Sequence, residues 1–135
     1  MILGIGTDMA SIERIETAIE KNGKRFIDRC FAKEEKERVE KLGKAARAAG
    51  YAKRWAAKEA CAKALGLGIR AGIYLKDIVV TNDKAGKPAL VLKGGAKKRL
   101  AALTPKRMVP HIHVSLSDES RMALAFVVIS AGGKA

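Results

Sequence analysis

The sequence predicts an α+β fold, with helices packed on a largely antiparallel sheet, in a single domain spanning residues 1–135. Three observations carry this. The chain opens on a β-rich stretch, MILGIGTDM; residues 12–65 read mostly as helices; the second half reads as paired strands separated by turn residues. With 48% hydrophobic residues in 135, there is enough apolar surface for one core and no case for disorder.

On the opening strand Ile2, Gly4, Gly6 and Asp8 share one face, and Leu3, Ile5, Thr7 and Met9 the other. The two glycines strip side chains from the Asp8 face, opening it to a second backbone or to a ligand. Ser11 suits the N-cap of a helix from about Ile12 to Lys21, whose core stripe is Ile12, Ile15 and Ile19. Gly23 ends or breaks it. FIDRCF reads as a short apolar turn and KEEKERVEKLG as a charged helix with Glu34 and Glu35 near its start. The helix from about Ala45 to Leu65 is Ala-rich, as suits close packing, and Gly66 fits its C′ position. IYLKDIVVTND and PALVLK, joined by KAGK, read as a hairpin. Gly94-Gly95 precedes a short basic helix, AKKRLAAL. HIHVSLSDESRMALAFVVIS reads as two strands around an Asp118-Glu119 turn. His111, His113, Ser115 and Ser117 share one face of the first, and the apolar second strand belongs at the sheet centre.

The charge is strongly positive: Lys+Arg 27 against Asp+Glu 14, a net +13. From Lys84 to Ser117 there are eight basic residues and no acid. Such a field favours polyanions, whether nucleic acid, acidic protein or a phosphate-rich small molecule. At 4% aromatic residues the chain is too poor in rings for a base-stacking platform, so a nucleic-acid module is disfavoured. No apolar run approaches a membrane span, and the N-terminus does not read as a signal peptide. Cys30 and Cys61 have no metal-ligand spacing, which points to a reducing cytoplasm.

One helix calls for an explanation. KRWAAKEACAKALG is built to pack, yet carries Lys58, Glu59 and Lys63. Glu59 and Lys63 stand i,i+4 with Glu first, the favourable order for a helix ion pair worth about 0.2–0.5 kcal/mol. Spacing alone does not separate such a pair from a site.

Three segments taken together do. GIGTDMASIERI, RWAAKEACAKALGLGI and HVSLSDESRMALAFVV resemble the holo-acyl-carrier-protein synthases, small bacterial members of the 4′-phosphopantetheinyl transferase superfamily. The resemblance runs from Ile2 to Ile129, and its middle motif approaches R-[FW]-[AC]-x-K-E-A-x-x-K-A. Ala32 departs from it, standing where the family often has Thr or Ser, and the Lys84–Arg107 region matches least.

The resemblance implies the 4′-phosphopantetheinyl transferase fold and a homotrimer with active sites at subunit interfaces. It implies Mg²⁺-dependent transfer of phosphopantetheine from coenzyme A to a serine of acyl carrier protein, releasing adenosine 3′,5′-bisphosphate, in support of fatty acid biosynthesis. Asp8 and Glu59 match the residues that hold Mg²⁺, a cation that typically takes one or two carboxylates plus phosphate oxygens and waters. Lys63 falls beside the phosphates. Arg54, His113 and Ser115 match coenzyme A contacts, and Arg14, extended by Lys21 and Arg25, the docking strip for the acidic carrier. Lys58 points about 100° from Glu59, towards solvent, carrier or coenzyme A. Glu59 and a water on the metal remain alternatives for taking the serine proton. A coenzyme A-dependent N-acetyltransferase is the rival enzyme class, and needs neither Asp8, Glu59 nor a metal.

Overall fold

The computed structural model describes residues 1–70 and 72–133. Strand β1 (Ile2–Ser11) leads into helices α1 (Ile12–Asn22), α2 (Lys24–Cys30), α3 (Lys33–Glu40) and α4 (Lys44–Ala64). A 3₁₀ turn (Leu75–Asp77) precedes the hairpin of β2 (Ile78–Asn82) and β3 (Pro88–Leu92). Helix α5 (Gly94–Leu103) follows, then β4 (Val109–Glu119) and β5 (Met122–Gly132). The main sheet is antiparallel in the order β1-β5-β4, so the apolar last strand is central, as its composition requires.

Helix α4 lies across the inner face of this sheet. Ala123, Ala125, Val127, Ile129 and Ala131 of β5 alternate inward and are buried, while Met122, Leu124 and Phe126 point out and stay exposed. The glycines of β1 explain how close α4 comes. A Cβ on Gly4 would overlap the Ala64 carbonyl oxygen, and one on Gly6 the Ala60 carbonyl oxygen. The backbone that the Asp8 face was open to is therefore α4 itself.

The Ala-rich sequence lets α4 be covered on nearly all sides. From Tyr51 to Leu65, Lys53, Trp55, Glu59 and Lys63 alone escape burial. Trp55, Glu59 and Lys63 are four apart and form one stripe along the β1 and α1 side. At the end of α4, Gly66 takes φ +87° and donates from its N–H to Lys63 O, the C′ role expected of it. Arg99 of α5 donates from Nε to Leu65 O at 2.9 Å, placing a cation at the negative end of α4.

Several local expectations change. FIDRCF is not a turn: Gly23, at φ +49°, ends α1 and lets α2 start at once, burying Ile27 and Cys30. The strand expected over IYLKDIVVTND begins only at Ile78, after the 3₁₀ turn. Helix α5 starts at Gly94 rather than after the glycine pair. Strand β4 runs through Asp118 and Glu119, and the turn falls at Ser120, whose φ is +57°. The β1 register shifts between Ile2 and Gly4, so Ile2 is exposed instead of joining the covered row.

Candidate active site

Asp8 reaches the inner face at the edge where β1 passes α4, and Ser11 begins α1 just beyond, its Oγ accepting from Arg14 N–H at 3.2 Å. Lys63 crosses from α4 to β1: its Nζ donates to Asp8 Oδ1 at 3.1 Å and to Thr7 O at 2.9 Å. The i,i+4 pair that the spacing allowed is thus not formed. Lys63 turns to Asp8, and Glu59 makes no hydrogen bond or ion pair among the described residues. Burial first, and the Asp8 charge second, push the Glu59 carboxyl above its usual range, with Lys63 opposing.

Asp8 and Glu59 line a hollow of about 420 Å³ with Met9, Arg14, Phe26 and Trp55. Phe26 stacks on Trp55 with ring centroids 5.8 Å apart, giving the hollow a flat apolar wall beside its carboxylates. The donor set suits a hard divalent cation. It offers two carboxylates, one of them unpartnered and held against its neighbour's charge. No cluster of three or more His, Cys, Asp or Glu side chains exists among the described residues. Two carboxylates, with phosphates and water making up the rest, is the pattern of Mg²⁺ rather than of a structural zinc.

Arg54 lies elsewhere. It is five residues before Glu59, about 140° around the helix. It is 6% exposed, donating from Nη1 to Gly50 O and from Nη2 to Asn82 Oδ1, each at 3.1 Å. Its buried Nε has no partner. With Arg38, Lys53, Asn82 and Asp118 it lines a second hollow, about 600 Å³, between α4 and β4. His113 and Ser115 lie on neither side of α4. They pair across the sheet with Val128 and Phe126 and share the outer face, where one His113 ring nitrogen lies 3.3 Å from Ser130 Oγ. One chain therefore brings together Asp8, Glu59, Lys63 and Arg14, and leaves Arg54, His113 and Ser115 apart from them.

The basic strip is likewise divided. Arg14 and Lys21 are exposed, seven apart on α1 and hence on one side of it, whereas Arg25 sits beyond Gly23 on α2. Lys58 needs a correction: it faces neither solvent nor a ligand. It is fully buried, with Nζ 2.7 Å from Glu35 Oε1. Glu35 is the residue that sequence reasoning missed as a structural partner. Its one local signal was its place three residues after the α3 N-cap, and its Oε1 does accept from Ala32 N–H at 2.9 Å. Ala32 has no hydroxyl to complete a reciprocal cap. In the loop GLGIRAG that follows α4, Ala71 lies outside the described residues.

Residues 4–125 match the model of the 4′-phosphopantetheinyl transferase superfamily. The chain belongs to this family. Holo-[acyl-carrier-protein] synthase of Rhodopseudomonas palustris strain TIE-1 is 53% identical over 133 residues, which cover 97% of this chain and 91% of the relative. The synthase of Xanthobacter autotrophicus is 49% identical, covering 97% and 96%. Among solved structures, the synthase of Neisseria meningitidis superposes with a TM-score of 0.82 at 38% identity, covering 96% of this chain and 99% of that one. The Helicobacter pylori synthase in complex with coenzyme A gives 0.79 at 27% identity, covering 93% and 99%. The fold is that of the phosphopantetheinyl transferases, and the chain is a transferase of the holo-[acyl-carrier-protein] synthase type.

Proposed function

We propose that this transferase moves 4′-phosphopantetheine from coenzyme A to a serine of apo acyl carrier protein, in a Mg²⁺-dependent reaction that supports fatty acid biosynthesis in the cytoplasm. The observation that carries the reading is the two carboxylates Asp8 and Glu59, lining one hollow of about 420 Å³, with Lys63 bonded to Asp8. In the reaction the serine oxygen bonds to the phosphorus nearer the pantetheine. The bond from that phosphorus to the bridging oxygen breaks, and adenosine 3′,5′-bisphosphate leaves. Mg²⁺, held by Asp8 and Glu59, would supply positive charge to the phosphates when bound. Lys63 adds a second cation where charge builds on the leaving group. Glu59 and a water on the metal are the two candidates for taking the serine proton, and the raised, unpartnered carboxyl supports Glu59. If carrier and Mg²⁺ are both present, adenosine 3′,5′-bisphosphate should appear by chromatography. Its absence, or its release without carrier, would sink the reading.

The hollow of Arg38, Lys53 and Arg54, where Asp118 offsets one charge by pairing with Lys53, keeps a net positive lining that suits the nucleotide phosphates of coenzyme A, and the unsatisfied Arg54 Nε supports this. His113 and Ser115 are read as coenzyme A contacts made across an interface between copies. Their outer face also shows Ile5, Met9, Leu124 and Phe126, each at least 42% exposed. That apolar surface favours burial against another copy, and a homotrimer would bring the separated groups together. Analytical ultracentrifugation should show a trimer; a fully active monomer would remove this part.

Arg14 lines the same hollow as the carboxylates and is exposed, so we read α1, with Lys21 and then Arg25, as the docking strip for the acidic carrier. Arg14→Glu should raise KM for the carrier by about tenfold or more while leaving coenzyme A affinity nearly unchanged. Steady-state kinetics at low salt check this, and an unchanged carrier KM would exclude α1 as the docking surface.

A further inference from the structure

Among the described residues, Lys58–Glu35 is the ion pair with no exposure on either side. An ammonium carries three protons, and each finds an acceptor here: Glu35 Oε1 at 2.7 Å, Leu75 O at 3.0 Å and Ile78 O. Glu35 is held just as firmly. Its Oε1 also accepts from Ala32 N–H, and its Oε2 from Val80 N–H at 3.1 Å. One side chain of α4 is thereby tied to α3, to the 3₁₀ turn and to β2.

Stability is a poor reason for such a junction. A buried pair seldom outperforms well-packed apolar residues of the same volume, because both ions lose their hydration. Position is a better one. Around Glu59 the buried residues Ala56, Ala57, Ala60, Ala62 and Ala64 offer few side-chain ridges to lock the helix rotation, the larger buried side chains Tyr51, Arg54 and Leu65 lying more than a turn away. The glycines of β1 set how closely α4 approaches the sheet, but a smooth alanine face can still turn. A rotation of about 20° would carry a carboxylate about 6 Å from the axis through about 2 Å. Misplacement of about 1 Å is enough to cost catalysis about 100-fold.

We propose that Lys58 is a positioning residue: seated on Glu35 and on the Leu75 and Ile78 carbonyls, it fixes the rotation of α4 and so aims the adjacent Glu59 carboxylate toward Asp8. The proposal rests on the reading of Glu59 as a metal ligand. It separates two tasks in one motif. Glu59 and Lys63 face the substrate, and Lys58, on another side of the helix, holds them there.

The test uses Mn²⁺ as the probe, its binding to the whole protein followed by electron paramagnetic resonance without substrates. Lys58→Met/Glu35→Leu replaces the pair by apolar groups and removes the tether without leaving a buried charge. The double variant should keep a cooperative melting transition, bind Mn²⁺ about tenfold or more weakly, and lose kcat at saturating Mg²⁺ while KM for coenzyme A stays nearly constant. Should it fail to fold, Lys58→Met/Glu35→Gln, which also removes the tether and both charges but keeps an acceptor oxygen for the Ala32 or Val80 N–H, gives the same readout. A folded variant with wild-type Mn²⁺ affinity overturns the proposal. Glu59→Gln is the control. If it too binds Mn²⁺ as wild type, the metal reading fails first and the proposal falls with it; if it alone loses Mn²⁺, positioning by Lys58 is what is refuted.

Discussion

Asp8→Ala and Glu59→Ala are each expected to lower transfer by roughly 10²–10³-fold or more while leaving the melting temperature near that of the parent. The two carboxylates contribute charge to the hollow and little packing. Burial already disfavours the charged form of Glu59, so its removal relieves a cost. The sign of that shift has a further consequence. A carboxyl raised in the folded state binds more protons folded than unfolded, so in the absence of metal the Glu59 contribution to stability falls as pH rises through the raised value. Metal binding runs the other way and weakens on acidification, because the proton and the cation compete for Glu59. Raised Mg²⁺ should partly rescue both variants. Full activity of either at limiting Mg²⁺ would refute the ligand role. Lys63→Ala belongs to the same experiment but should differ in kind: kcat falls more than coenzyme A affinity, since a cation beside the leaving phosphate matters most as charge builds there. An effect confined to KM would make Lys63 a binding residue.

The second large effect concerns the fold. Gly6→Val should destabilise the protein by about 3–5 kcal/mol, a large fraction of the stability of an ordinary domain. Its Cβ would overlap the Ala60 carbonyl oxygen and press on Ala64 N, and both are helix backbone that cannot swing aside. Either α4 lifts from the sheet, carrying Glu59 and Lys63 away from Asp8, or β1 leaves its register with β5. Gly43→Ala is the matched control. Nothing lies within 4 Å of its Cβ position and its φ is −62°, so the change should fall within about 0.5 kcal/mol of the parent. Urea unfolding measures both. Parental stability in Gly6→Val would contradict the close β1–α4 contact.

The contrast between these glycines shows what was legible in the sequence. Gly4 and Gly6 on the Asp8 face announced a close approach, but only the fold supplies its partner, the carbonyls of Ala60 and Ala64 some sixty residues on. Residues on one element were placed well. The Ile12–Ile15–Ile19 stripe, the Ser11 cap, Gly66 and the central position of β5 follow from periodicity and turn chemistry, which are local. Long-range pairing was not legible. The spacing of Glu59 and Lys63 suggested that they pair, yet Lys63 bonds to Asp8, 55 positions away. Lys58 looked like one more charge on a helix, and its burial depends on Glu35, 23 positions away, on the Leu75 carbonyl in a turn that read as strand, and on the Ile78 carbonyl of β2. The separation of Arg54 and His113 from the carboxylates also needed the sheet, since the two faces of β4 and β5 only acquire an inside once α4 is laid on one of them.

On the proposed function, the hollow of Asp8 and Glu59, with Lys63 beside it, transfers phosphopantetheine with the help of a divalent cation. Intact-mass spectrometry of an apo carrier protein, incubated with this protein, coenzyme A and Mg²⁺, addresses it most directly. The carrier should gain the mass of one phosphopantetheine on a serine, and the gain should vanish when a chelator removes the Mg²⁺ or when Glu59 is replaced by Ala. An unmodified carrier, or a gain undiminished in the chelator and in Glu59→Ala, would contradict it.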